Sequence, residues 1–298
     1  MTTISVAVPR KGRPLEAVLE RLATTAEFTS IADDVISTLR YEKAITKGNT
    51  SPDEHVYDRL ADYSDLSDPT EPEFTLLRDD REGMPRRVVF DSLTVPVDGI
   101  DVRLVGREEP FRSLRKHEFA LGFDSADLVL EEVVQLRDDP LTEIAAINER
   151  IDPLDTDVRV VTGMGDTVYH TLLATPAVVD SLPYDLSHEF VTAYEGALCI
   201  SPRYERLVEA VLGTEAIEGI DFTYPENGQE EEAAIAEAGL GVYLTVTGST
   251  AREHGLELGE QLFPSETVLL ENQPEASDAV ERVRELFVAP DETALALQ

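Results

Sequence analysis

The chain has 298 residues, 42% of them hydrophobic, which allows one large domain or two of ordinary size around a sizeable core. Sixty Asp and Glu against 25 Lys and Arg give a formal charge of −35, a field that repels duplex DNA and anionic lipid and so excludes nucleic-acid and membrane partners from the expectation. No apolar run approaches the ~18 residues of a membrane span, and the single cysteine, Cys199, rules out an intrachain disulfide or a cysteine-built metal site.

Residues 4–8 read as an apolar strand ending at Pro9, with no basic-then-apolar leader before it, which points to a cytoplasmic protein. A basic loop follows, Arg10-Lys11-Gly12-Arg13-Pro14, and then a helix with Leu15, Val18, Leu19 and Leu22 on one face. Cations gathered at the carboxyl end of a strand matter in a chain this acidic, because ligands of open α/β sheets bind there. A solvated basic turn is the other reading.

Residues 28–98 are less orderly. A helix is expected over 31–45, an exposed loop over 62–73, a turn at Asp79-Asp80-Arg81-Glu82-Gly83, and strand character over 86–97. Residues 100–105 alternate as a strand, and a short helix around 111–117 leads to a buried strand from Phe119 to Phe123. That strand runs into Asp124-Ser125-Ala126-Asp127 and a helix start. The repeated order of strand, polar loop and helix argues for an α/β sheet.

Further on, 142–150 reads as helix and 157–162 as strand, followed by the turn Gly163-Met164-Gly165-Asp166. Strands are expected over 190–194 and 197–200; Cys199 in the latter reads as a buried small hydrophobe. An amphipathic helix over 202–212 closes at Gly213, a short strand spans 220–224, and Glu230-Glu231-Glu232 introduces a helix over 233–238. Residues 267–270 read as strand, 276–287 as helix, and the last ten residues as loose.

The stretch from Val242 to Leu256 is the most informative. It begins as a β-branched strand, breaks at Thr247-Gly248-Ser249-Thr250, and resumes as a short helix. Such a turn can present first-turn amides and hydroxyls to one anion. It can equally be a plain strand–turn–helix capped by Ser249 or Thr250.

Three segments, in order, resemble ATP phosphoribosyltransferase, the first enzyme of histidine biosynthesis. Val6-Ala7-Val8-Pro9-Arg10-Lys11-Gly12-Arg13 is similar to the family's opening Ala-Leu-Pro-Lys-Gly-Arg. Ala120-Leu121-Gly122-Phe123-Asp124-Ser125-Ala126-Asp127 is similar to its Asp-Leu-Gly-Ile-Thr-Gly-x-Asp. Thr247-Gly248-Ser249-Thr250-Ala251-Arg252-Glu253-His254-Gly255-Leu256 resembles Thr-Gly-x-Thr-Leu-Arg-x-Asn-Gly-Leu, the loop holding the 5-phosphate of phosphoribosyl pyrophosphate (PRPP). The resemblance implies an α/β, two-lobed periplasmic-binding-protein-like (type II) fold with mixed sheets flanked by helices and a ligand cleft between lobes. The expected division places 1–135 and 240–298 in lobe I, with an insertion at about 28–98, and 136–239 in lobe II. The chain departs from the family pattern at Ala120, Gly239 and Tyr243, where acidic residues stand in the family, two of them facing the ribose.

The resemblance also implies a chemistry. Lys11, Gly12, Arg13, Arg107, Thr247, Gly248, Ser249 and Thr250 are the expected phosphate and PRPP contacts, with Mg²⁺ accompanying PRPP. Asp124, Asp127 and Glu231 are the candidate carboxylates for positive charge developing at the sugar's C1. Two functions stay open: transfer of the phosphoribosyl group to ATP or another nucleotide or base, and PRPP or small-anion binding without catalysis in a regulatory or sensor protein. PRPP, ATP and a second copy of the chain are the expected partners. The acidic residues are dispersed and only four residues are Lys, which suits a haloarchaeal cytoplasm where salt screens the surface charge.

Overall fold

A computed structural model describes residues 2–25, 28–78, 86–226 and 228–288. The chain opens with β1 (Thr2–Pro9), α1 (Arg13–Thr25), α2 (Thr29–Thr46), α3 (Val56–Tyr63), β2 (Glu73–Arg78), β3 (Arg86–Val97), β4 (Ile100–Arg107), α4 (Pro110–Arg115) and β5 (Leu121–Ser125). It continues through α5 (Ala126–Glu132), a 3₁₀ helix (Ile144–Arg150), β6 (Val158–Gly163), β7 (Val168–Ala174), α6 (Pro176–Val179), α7 (His188–Ala193) and β8 (Gly196–Cys199). A 3₁₀ turn (Pro202–Tyr204) precedes α8 (Glu205–Leu212), β9 (Ile220–Thr223), α9 (Glu231–Ala238), β10 (Leu240–Thr245) and α10 (Ser249–Glu253). The described chain ends with β11 (Glu257–Ser265), β12 (Thr267–Asn272) and α11 (Asp278–Glu285).

Two compact units result. The first comprises 1–124, 157–166 and 267–298, and the second 125–156 and 167–266. In the first, strands run in the order β2-β3-β4-β1-β5-β12-β6, with β4, β1 and β5 parallel and β2, β3 and β4 antiparallel. The helical face expected of α1 is the one it buries: Leu15, Val18, Leu19 and Leu22 are all fully inaccessible beneath the sheet's core residues Val6, Val8 and Leu104. In the second, the order is β11-β7-β10-β8-β9, with β10, β8 and β9 parallel and β7 antiparallel to both β10 and β11.

The segment 28–98 extends the first sheet. β3 pairs along β4 and β2 pairs along β3, while α2 supplies Ala32, Val35, Ile36 and Leu39 to the same core. Its helices are joined by a buried ion pair. Arg59 Nε and Nη2 donate to Glu42 Oε1 and Oε2 at 2.7 and 2.9 Å, and the Tyr63 hydroxyl donates to Glu42 Oε1 at 3.1 Å. Burial and the adjacent Glu42 carboxylate push the Tyr63 phenol up to about 12.

Several expectations move. Residues 190–194, expected as strand, lie in α7, where Phe190 and Val191 are buried; a short apolar run cannot separate strand from helix by period. The lobe boundary expected at 240 shifts because β10 pairs with β7 and β8, so the second unit runs to Glu266 and takes in α5. The expected turn at 79–83 and loose tail at 289–298 lie outside the described residues.

Candidate functional site

On the second unit, β10 ends at Thr245 and the chain turns through Val246, Thr247 and Gly248 into α10. Gly248 has φ 67°, and a Cβ placed there would lie 2.1 Å from Leu258 Cδ2, so both backbone and space require glycine. Arg252 Nη1 donates to the Thr247 carbonyl at 2.9 Å, and the Thr247 and Ser249 hydroxyl oxygens are 3.1 Å apart, which fixes the turn. The Arg252 amide bonds the Gly248 carbonyl, whereas the Thr250 and Ala251 amides have no acceptor among the described residues.

This turn opens onto a pocket of about 290 Å³ lined by Thr245, Thr247, Gly248, Ser249, Thr250 and Glu232. Thr245 is itself fixed by a hydroxyl–hydroxyl contact of 2.6 Å with Thr171 on β7. Behind the pocket, Ala234 and Ile235 of α9 pack with Ala251 and Leu256 on Leu173 and Cys199, which is buried as expected.

The three glutamates at the start of α9 face different surroundings. Glu230 Oε2 lies 3.4 Å from His254 Nε2. Glu231 takes the hydrogen bond of the Tyr243 hydroxyl; burial and the carboxylates of Glu231 and Glu232 push that phenol up to about 12. Glu232 lines the pocket. The acidic run was visible in the sequence, but a helix turns about 100° per residue, so the side chain facing the pocket depends on where α9 begins. Thr245 was read only as part of a strand.

On the first unit, parallel pairing of β1 with β4 sets Pro9 opposite Arg107 and so brings the two expected cationic stretches together at one end of the sheet. Gly12 has φ 80°, which lets the loop turn into α1. Arg10 Nε donates to the Gly106 carbonyl at 3.2 Å, and the guanidinium lies 3.6 Å from Asp91 and 3.9 Å from Glu108. Arg13 donates to the Asp166 carbonyl at 2.6 Å, with Nε 3.3 Å from Asp166 Oδ2. Arg13 thus holds a connecting segment, because the Asp166 carboxylate also accepts from the Thr267 amide and hydroxyl. Arg107 lies 4.9 Å over the Phe119 ring. Half-buried Lys11 makes no ion pair among the described residues.

Two expected carboxylates are engaged inside their units. Asp124 is buried, and its Oδ2 accepts from the Phe111 amide at 3.0 Å, closing the first turn of α4. Asp127 is buried in the second unit, where Oδ2 accepts from Ser265 Oγ at 2.9 Å. Its Oδ1 lies 3.1 Å from Nε2 of the fully buried His170, without hydrogen-bond alignment. One turn along α5, Glu131 accepts from the Leu207 amide at 3.0 Å. Burial pushes its carboxyl up to about 7, against the lowering effect of that amide and of Arg203.

The family profile described as halobacterial ATP phosphoribosyltransferase matches residues 1–297. The chain belongs to that family. Its two-unit α/β architecture is of the periplasmic-binding-protein-like class that the motifs imply. Among solved structures, an ATP phosphoribosyl transferase (HisG:HisZ) complex from Thermotoga maritima matches at 15% identity over 95% of this chain and 94% of that chain, with a TM-score of 0.41. YhfZ from Shigella flexneri matches at 9% identity over 99% and 87%, TM-score 0.46. The BvgS VFT2 domain of Bordetella pertussis matches at 11% identity over 99% and 90%, TM-score 0.37. No curated protein sequence matches. Likenesses this distant bear on no ligand.

Proposed function

We propose that this protein binds PRPP with the 5-phosphate seated on the Thr247–Thr250 turn, and transfers the phosphoribosyl group to ATP or a related nucleotide or base with release of pyrophosphate. The observation that carries this reading is the pocket of about 290 Å³, in which the family's phosphate-loop motif contributes hydroxyls and unbonded amides. Such donors suit a phosphate monoester, whose oxygens accept in several directions. On the first unit, Lys11 and Arg107 are suited to a polyanion such as pyrophosphate, whereas Arg10 and Arg13 are engaged with acidic partners.

Among the described residues no group of three or more acidic, His or Cys side chains converges as a metal cage. Mg²⁺, expected with PRPP, is therefore assigned to the substrate's phosphates, and no step is routed through a protein-held ion.

Binding without turnover is the second reading. It is favoured by the internal bonds of Asp124 and Asp127 and by Tyr243 at a position where the family has an acidic residue.

Isothermal titration with PRPP and Mg²⁺ in molar KCl tests the binding site, using the wild type and Ser249→Asp. Ser249 is exposed at the first position of α10, where Asp is compatible with the helix, so the variant adds negative charge without disturbing the fold. The expected result is wild-type binding weakened at least about tenfold in the variant by like-charge repulsion. Equal affinities would place PRPP elsewhere, and no wild-type binding would remove the reading.

A further inference from the structure

The carboxylate in this pocket calls for a ligand with more than an anion. Glu230 is beside His254, and Glu231 is bonded by Tyr243, but Glu232 faces the space shared with Thr245, Thr247, Ser249 and Thr250 and has no hydrogen-bond or ion-pair partner among the described residues. A carboxylate only accepts hydrogen bonds, so a bare phosphate on the turn meets repulsion from Glu232 and offers it no donor. A ligand carrying hydroxyl groups next to its phosphate supplies those donors.

We infer that Glu232 is a specificity-determining residue that reads the hydroxyls of a sugar phosphate held at the Thr247–Thr250 turn, selecting phosphorylated polyols over free phosphate. The inference rests on the phosphate-binding reading above and adds to it the source of sugar recognition. It also accounts for Tyr243. By taking Glu231, the phenol leaves one carboxylate in the pocket where two would repel the ligand's phosphate more strongly.

The experiment titrates the full chain in molar KCl with ribose 5-phosphate, 2-deoxyribose 5-phosphate and inorganic phosphate, comparing wild type, Glu232→Gln and Glu232→Asp. The wild type is expected to prefer ribose 5-phosphate to phosphate. Glu232→Gln is expected to lose about tenfold or more in affinity for ribose 5-phosphate while phosphate binding holds or strengthens. Glu232→Asp, which keeps the charge, is expected to restore part of the preference. Unchanged ribose 5-phosphate affinity in Glu232→Gln, or an equal loss for phosphate, overturns the assignment of Glu232 and leaves the phosphate turn standing. Failure of the wild type to bind any of the three ligands overturns both.

Discussion

The Tyr243 hydroxyl on β10 donates to the Glu231 carboxylate at the first turn of α9, so a strand position where the family carries an acid instead holds an acid in place. The prediction is that Tyr243→Phe destabilises the protein by about 1–2 kcal/mol, as for loss of a hydrogen bond to a charged group. An ultraviolet pH titration of wild type minus variant should show a phenol ionising at about 12, above the ordinary 10. An ionisation at 10 in that difference would mean the bond is not formed.

Glu131 gives a pH dependence of stability. Burial raises its carboxyl from 4.5 to about 7 in the folded protein, so the folded state holds this proton more tightly than the unfolded chain. Its contribution to stability therefore declines as pH rises from 4.5 through 7 and levels off above, with a slope of at most about 1.4 kcal/mol per pH unit. Glu131→Gln, which retains an acceptor for the Leu207 amide, should be more stable than wild type above pH 7 and lose that advantage below pH 5. Thermal melts from pH 4.5 to 8.5 check the sign.

The Glu42–Arg59 pair holds α2 to α3 in the segment 28–98, with the two residues 3% and 6% exposed. Removing one partner leaves the other's charge buried, so Glu42→Ala and Arg59→Ala should each cost about 3–5 kcal/mol. Denaturant melts of both single variants and the double variant give the coupling. A double variant no less stable than either single one is the expected pattern, because the second change removes the orphaned charge.

Gly248→Ala places a methyl group against Leu258 and a side chain in the left-handed region, and should destabilise the protein by about 1–3 kcal/mol. Chemical denaturation measures the loss, and amide exchange should localise it to α10 and β11. The same clash makes Gly248 unsuitable for introducing a charge, which Ser249 accepts more readily.

Much of the first unit was legible because its signals are local. The apolar face of Leu15, Val18, Leu19 and Leu22 follows the helical period, and the turn at Thr247–Thr250 is marked by glycine and hydroxyls. β7 was missed because buried polar residues, His170 and Thr171, interrupt its apolar run, and β11 because its pairing shifts register twice. The candidate site failed at single-residue resolution for similar reasons. Asp124 and Asp127 stand at motif positions, but the Phe111 amide and the Ser265 hydroxyl that engage them come from distant parts of the chain. Glu232 differs from Glu231 only by its rotation about α9.

The measurement closest to the central claim is pyrophosphate release from PRPP with ATP and Mg²⁺ in molar KCl, followed alongside PRPP binding. The account predicts release that requires both PRPP and ATP and that falls in Ser249→Asp. PRPP binding with no release across ATP, other nucleotides and free bases would contradict phosphoribosyl transfer and leave a PRPP-binding protein without catalysis.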